Sequence, residues 1–324
     1  MVTIAQRMYI DGRWRDAEGD GVFDVVDPAT RKMIERVPDA SAADVRSAVD
    51  AADRAFPAWA ATPAKERGRI LARIQARLES ETEAIARLIV LENGKPFEEA
   101  KKEVAFALGY FGWFGEEARR LAGEWVPSPV PGKRLLVLRQ PVWPLAAITP
   151  WNFPATMVTR KIAPALAAGC TVVLKPASAT PLTALALARA CHDAGLPPAD
   201  GARADGFFYS PTVLTDVSDD MPVCREEIFG PVAPVLTFET EEEVLRRAND
   251  TTFGLAGYFY TWDPARLLRV AEGLEYGLVG ANDASGYTHE IPFGGFKASG
   301  LGREGGHQGI EEYTEVKSVV IGLG

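Results

Sequence analysis

Cysteine is scarce: three thiols, Cys170, Cys191 and Cys224, occur in 324 residues. An odd and widely spaced set forms neither a disulfide framework nor a zinc knuckle, and it suits a reducing compartment. Histidine is equally thin, and His192, His289 and His307 have no metal-ligand spacing. No stretch approaches the about 20 apolar residues of a membrane span. The opening MVTIAQRMYIDGRW carries early charges and no apolar run of the kind that directs secretion. A cytoplasmic protein without a membrane partner or a metal is therefore expected. Positive charge is in deficit, with 35 Lys+Arg against 44 Asp+Glu and a net charge of −9. A nucleic-acid partner is not expected, because a phosphate backbone asks for a basic surface. No G-x-S-x-G elbow occurs. What remains is 47% hydrophobic and 24% charged, a globular mixture long enough for two domains.

The chain begins extended. Residues 9–14 (YIDGRW) read as a hairpin around Asp11-Gly12. Ser41 is placed to cap an alanine-rich helix running to about Ala61. Pro63 opens a second helix, whose apolar residues Ile70, Leu71, Ile74, Leu78, Ile85 and Leu88 recur at helical spacing until Asn93-Gly94 stops it. A third helix, about 96–121, carries Phe106, Tyr110, Phe111, Trp113 and Phe114, a stripe read as core or subunit contact. Then the pattern changes. Residues 134–140 have strand character, 145–149 (LAAIT) and 170–174 (CTVVL) read as short buried strands, and helices are expected at 156–168 and 181–194. Strand–helix–strand–helix is a βαβ unit and implies an α/β fold with a parallel sheet. Past Pro198 that sheet should continue with another buried strand, but the small, polar ADGARADG follows instead. Strands near 212–214, 233–238, 257–261 and 316–321 and helices at 241–249 and after Pro264 complete the chain.

Several segments carry chemistry. Thr149 to Pro154 (TPWNFP) lies where a strand meets a helix, the place where α/β sheets bind ligands. Its Asn152 is either an amide donor for a developing oxyanion or a turn cap. Lys175, at the end of the next strand, either reaches a cofactor hydroxyl or phosphate or is a solvated surface charge. In EEIFGPV the acids Glu226 and Glu227 either solvate a loop or clamp a ribose. Gly300, Gly302 and Gly305 spell G-x-G-x-x-G formally. No strand precedes them and no acid follows at the required distance, so they read as a glycine-rich loop.

Taken together, TPWNFP, TRKIAPALAAGCTVVLKPAS, EEIFGPVAPV, PFGGFKASGLGREGG and GIEEYTEVKSVVIGL resemble the aldehyde dehydrogenase superfamily, closest to its succinate-semialdehyde dehydrogenase branch. They stand in family order across nearly the whole chain. The resemblance implies NAD- or NADP-dependent oxidation of an aldehyde or semialdehyde through a cysteine thioester. It implies Asn152 as the oxyanion amide, Trp151 at the cofactor-contacting strand end, and Lys175 on the adenosine ribose. It implies Ser178 where NAD-preferring relatives often carry glutamate, so that NADP is tolerated. Glu227 is implied on the nicotinamide ribose with Phe229 packed nearby. Arg160 is implied as the arginine that meets a semialdehyde's distal carboxylate, against the plain alternative of a solvated helix charge.

The resemblance also marks a departure. The family's Gly-Ser-Thr turn, its Glu-Leu-Gly-Gly segment with the general base, and its Gly-Gln-x-Cys nucleophile do not occur, and GLPP runs directly into the family's Gly-Phe-Phe region. The expected organisation is a truncated dinucleotide-binding domain (1–125 and 141–199), an oligomerisation arm with a terminal strand (126–140 and 308–324) and a remnant of the catalytic domain (200–307). A bared parallel sheet edge is expected. So is impaired catalysis, or a non-catalytic assembly partner in a homo-oligomer or with an intact homologue, or an internally deleted product. Of the three cysteines, Cys170 is expected in a buried strand, Cys191 on a helix, and Cys224 as the least implausible substitute nucleophile.

Overall fold

The computed structural model describes residues 7–196, 212–215, 217–284 and 288–323. Contacts divide the chain into two units, Met1–Phe207 with His307–Gly324, and Phe208–Gly306. The junction of GLPP with ADGARADG lies outside the described residues.

In the first unit, β1 (Met8–Ile10) and β2 (Arg13–Arg15) form the expected hairpin. Asp11 and Gly12 both take positive φ, 52° and 79°, as a tight two-residue turn with the twist of its strands demands. A second antiparallel pair follows, β3 (Val22–Val26) with β4 (Met33–Pro38). Helix α1 (Ala42–Ala61) begins with a capping box: Ser41 accepts from the backbone N–H groups of Ala43 and Asp44, and Asp44 accepts from that of Ser41. Buried Asp44 also accepts from Arg15 at 2.8 Å and from the Glu18 N–H, which ties the hairpin to the helix.

The second expected helix is two. Helix α2 (Ala64–Glu79) starts one residue after Pro63, which serves as its cap, and α3 (Thr82–Asn93) follows a break at Ser80-Glu81. The break has a local cause. The Ser80 hydroxyl donates to the Arg77 carbonyl at 2.7 Å, the competition with helix propagation that short polar side chains offer. Gly94 ends α3 in the left-handed region at φ 76°. Helix α4 (Phe97–Glu117) then supplies Tyr110, Phe111 and Phe114, all essentially fully buried, so the aromatic stripe is core. It packs with Leu71, Ile74, Leu78, Ile85 and Ile89 of α2 and α3.

Strand β5 (Glu124–Val126) and β6 (Lys133–Pro141) lead into β7 (Leu145–Ile148), α5 (Thr156–Ala168), β8 (Val172–Lys175) and α6 (Pro181–Asp193). β7 and β8 pair in parallel from Leu145↔Val172 to Ile148↔Lys175, the expected βαβ unit. Among the described residues neither strand has another strand beside it, so both outer edges are bare. Strand β7 is not the buried strand expected: Ala146 is exposed and Ile148 is 69% exposed. A lone parallel pair is normally covered on both faces, and here part of that cover is missing. Cys170 sits just before β8 rather than inside it, buried with its thiol against the Tyr313 carbonyl at 3.3 Å.

The second unit holds β9 (Thr212–Leu214), the short α7 (Pro222–Arg225), β10 (Val232–Pro234), α8 (Glu241–Asn249), β11 (Ala256–Phe259), α9 (Pro264–Gly273) and β12 (Leu278–Ala281). β9 pairs with β10 and β11 with β12, each a two-stranded parallel sheet. β10 ends at Pro234, short of the expected 238. The glycine-rich segment is a loop, as expected: Gly300, Gly302 and Gly305 take positive φ, and the Phe293↔Glu304 bridge closes it. The chain returns to the first unit in β13 (Thr314–Gly322), which pairs antiparallel with β6 along its length. No helix among the described residues is long and apolar enough to cross a membrane.

Candidate functional site

The first unit brings four of the expected residues to one end of the β7–β8 pair. Thr149 to Pro154 follows β7, and Lys175 ends β8 with Pro176 to Ser178 after it. The two turns are tied where they begin, the Thr149 N–H donating to the Lys175 carbonyl at 3.2 Å.

The Asn152 turn is held from behind by residues of α3, α4 and the link between them. The Asn93 amide donates to the Trp151 carbonyl at 3.0 Å. Lys95 Nζ donates to the Asn152 carbonyl at 3.0 Å and to the Glu103 carboxylate, and it lies 3.9 Å from the centre of the Phe153 ring. Glu103, fully buried, accepts from the Ala155 N–H at 2.9 Å and the Thr156 N–H at 3.3 Å. The Asn152 side-chain oxygen is buried and meets no donor. The unmet atom is an acceptor, and leaving a buried acceptor without a donor costs on the order of 1–3 kcal/mol. Trp151 is 46% exposed beside it.

On the neighbouring turn, exposed Lys175 donates to the Ser178 hydroxyl at 3.4 Å. No carboxylate stands at position 178, so a phosphate there meets two donors and no like charge. These two residues suit the ribose end of an adenine nucleotide.

The helix N-termini do not suit its pyrophosphate. The first turn of a helix offers N–H groups to an anion, but here those groups are taken. Glu103 occupies α5. Glu92 occupies α6, accepting from the Leu182 N–H at 2.7 Å and the Thr183 N–H at 2.8 Å. Glu92 is completely enclosed, and burial pushes its carboxyl up to about 7. The two βα turns are plugged by the protein's own carboxylates.

Arg160 lies on α5 and is 2% exposed, so it is not a solvated helix charge. Its Nε donates to the Tyr110 hydroxyl at 2.9 Å, and the guanidinium lies 5.4 Å from the centre of that ring. Glu227 and Phe229 belong to the second unit, where both are exposed and Phe229 takes φ 45°. Burial pushes the Cys170 thiol up and the Cys191 thiol up to about 12. Cys224 is half-buried on α7, and its neighbour Arg225 is engaged with Asp250 at 3.0 Å.

Lys95, Glu103 and Glu92 are absent from the sequence-based expectations. A signal was there for the two acids. Glu103 falls in the stripe Ala100, Val104, Ala107, Phe111, and Glu92 one turn beyond Leu88 and Ile89. A charge at a core position of a helix is buried only with partners.

Comparison with known proteins places the chain. The profile of the aldehyde dehydrogenase family matches residues 14–200 and 199–319. A glutarate-semialdehyde dehydrogenase of Pseudomonas putida is 34% identical, with 98% of each chain spanned. That alignment runs over 470 positions, and this chain has 324 residues, so at least 146 positions stand opposite a gap. The NADP(+) succinate-semialdehyde dehydrogenase of Escherichia coli is also 34% identical, again over 98% of each chain. Among solved structures, a succinate-semialdehyde dehydrogenase from Burkholderia pseudomallei superposes with a TM-score of 0.94 at 32% identity, covering 98% of each chain.

Proposed function

The chain belongs to the aldehyde dehydrogenase family, and from that premise we propose that it is a nucleotide-binding homologue of the semialdehyde dehydrogenases that does not complete their oxidation. The observation that carries this reading is the state of the sulfur. A nucleophilic cysteine needs thiolate character near neutral pH, and Cys170 and Cys191 are driven the other way by burial. Cys224 stands on a four-residue helix with no cation reserved for it. The gap of at least 146 positions, and a family match split at residues 199–200, support an internal block missing from the chain.

In this reading Lys175 and Ser178 hold the ribose of NAD or NADP, with NADP tolerated because no acid stands at 178. Trp151 flanks the cofactor, and Asn152 offers its amide to an oxyanion. Glu227 and Phe229 attend the nicotinamide ribose, and Arg160 meets the carboxylate of a semialdehyde. The cofactor, when bound, accepts a hydride. Binding is weak because Glu92 and Glu103 already occupy the described helix N-termini, leaving the adenosine end to supply the affinity. Assembly through the arm, as a homo-oligomer or with an intact homologue, completes the reading. It is supported by Trp125 at 66% and Val316 and Val320 at 61% exposure on the arm's three-stranded sheet.

Two measurements test it. In calorimetry, NADP+ binds at most about tenfold tighter than 2′-AMP, because only the adenosine end is held. With succinate semialdehyde and NADP+, no NADPH absorbance accumulates. Steady turnover, or a thioester trapped on any of the three cysteines, overturns the proposal.

A further inference from the structure

The backbone of β7 shows which way the parallel pair of the first unit is open. The Leu145 N–H donates to the Thr171 carbonyl at 2.9 Å, and the Thr149 N–H to the Lys175 carbonyl at 3.2 Å. Backbone groups alternate in direction along a strand, so Leu145, Ala147 and Thr149 serve β8, while Ala146 and Ile148 turn their N–H and C=O groups to the other side. Among the described residues no strand takes these groups up. Both residues are exposed, Ile148 at 69%. The far edge of the pair differs. Val172 and Leu174, whose backbone groups point away from β7, are 8% and 9% exposed, so β8 is covered there. One open edge remains, and no charge in residues 145–148 blunts it against pairing with another chain.

The sequence along this edge is symmetric about Ala147. Ala146 and Ile148 flank it, and Pro144 and Pro150 stand at equal distances beyond them. When β7 meets a second β7 antiparallel with Ala147 opposite Ala147, Ala146 of each chain faces Ile148 of the other. Each such pair exchanges both of its N–H···O=C bonds, every outward group of the strand is met, and the prolines face each other outside the ladder. Sliding by two residues sets Pro144 against Ile148, or Pro150 against Ala146, and a proline has no N–H to give to a ladder. Sliding by one presents groups already bonded to β8. In the symmetric register the exposed Ala146 and Ile148 side chains form apolar cross-strand pairs. Trp143, 64% exposed and 5.6 Å from the Phe56 ring, adds apolar surface beside the end of the strand.

We propose that β7 is an interface for a second copy of this chain, the two strands pairing antiparallel in this register across a two-fold axis and joining two βαβ units into one four-stranded sheet. The surface is separate from the arm formed by β5, β6 and β13. Because the same groups meet from both sides and β8 is covered, the contact closes at two chains.

The test uses the full chain with Cys224→Ser, which removes the half-buried thiol. Ala146→Cys and Ile148→Cys chains are mixed in equal amounts and oxidised with glutathione disulfide. Hydrogen-bonded partners in an antiparallel pair have Cα atoms about 5.5 Å apart, within the roughly 4.4–6.8 Å that a disulfide spans. The mixture is expected to give a covalent dimer on non-reducing gels. Either variant alone is expected to give none, because its thiols stand on a diagonal about 7–8 Å apart, beyond disulfide reach. Separately, Ile148→Lys is expected to raise the dissociation constant of the contact at least about tenfold in sedimentation equilibrium, since it sets two charges in an apolar ladder. Its far-UV dichroism is expected to be unchanged, the position being exposed in the single chain. A mixture that gives no covalent dimer overturns the proposal, and that is the result if an intact homologue fills the edge instead. Equal crosslinking by the single variants overturns it too, as does an Ile148→Lys chain that sediments like the unaltered one.

Discussion

Leu71, Ile74, Leu78, Ile85, Phe111 and Phe114 are completely buried in the first unit, and three of its helix termini are capped by buried carboxylates. In the second unit Val270 is the single buried large apolar side chain among the described residues, while Trp262 is 97% exposed and Phe238 56%. Both units have helices with sound local signals. Thr240 and Asp263 cap α8 and α9 as well as Ser41 caps α1. The difference lies in what the elements pack against. Apolar burial is the dominant favourable term in folding, and local capping contributes only about 1 kcal/mol per helix end. The first unit is a self-sufficient core, and the second is a set of well-formed elements without one. The loss of an internal block, proposed above, would leave the second unit in this condition.

The largest consequence is a difference in local stability. In native-state hydrogen exchange on the full chain, the backbone amides of α2 and α4 are expected to be at least about 10³-fold better protected than those of α8 and α9, because opening free energy follows buried contact. Equal protection in the two units would break the comparison. It would mean that an arrangement other than this one, such as a partner chain, supplies the second unit's core.

A sharper test lies inside the first unit, at the carboxylate that unites helix capping with the Asn152 turn. Glu103→Ala leaves Lys95 as a nearly buried charge without its partner and orphans two N–H groups at α5. A loss of about 3–5 kcal/mol is expected from urea unfolding followed by far-UV dichroism. Glu103→Gln keeps an acceptor for Ala155 and Thr156 and is expected to recover part of it. If alanine and glutamine cost the same, Glu103 acts through its charge alone and the capping argument fails.

These acids also mark the limit of what the sequence discloses. The hairpin at Asp11-Gly12, the cap at Ser41, the stop at Gly94 and the bounds of α5 and α6 were legible because a few neighbouring residues decide each of them. The turns at the ends of β7 and β8 were legible as turns because TPWNFP and the Lys175-Pro176 step are each contiguous in sequence. The break at Ser80 was hidden because the apolar repeat continues in phase across it. Arg160, Glu92 and Glu103 were hidden for a different reason. Each is settled by a residue 50 to 91 positions away, and spacing along one helix reveals that a charge faces the core without revealing what meets it.

Glu92 offers a smaller, pH-dependent probe. Its carboxyl stands near 7 in the folded protein against an ordinary 4.5, because burial favours the neutral form. The stability it lends is therefore fully present below about pH 4.5 and is lost as pH rises through 7. A shift of this size is worth at most about 3 kcal/mol. The urea midpoint of the first unit should fall between pH 4.5 and 8 more steeply in the unaltered chain than in Glu92→Gln, which cannot ionise. Parallel profiles would show that Glu92 is already charged when buried, and that the α6 N–H groups stabilise the anion more than burial disfavours it.

The smallest effect is expected where the second unit looks best organised. Glu241 at the start of α8 meets Arg269 at 2.8 Å and Arg266 at 2.9 Å on α9, and hydrogen bonds from Arg269 and then Arg266 hold its carboxyl down at about 2. The sign is opposite to that of Glu92: this pairing persists above the ordinary carboxylate range and is lost only as pH falls toward 2. The arginines are half-exposed, however, and exposed pairs hold little because solvent and salt screen them. Glu241→Gln is expected to speed exchange in α8 and α9 by less than about fivefold, and 0.5 M salt should erase most of the difference. A much larger change would mean that these helices depend on the ion pair for want of anything apolar to rest on, which would deepen the contrast between the two units.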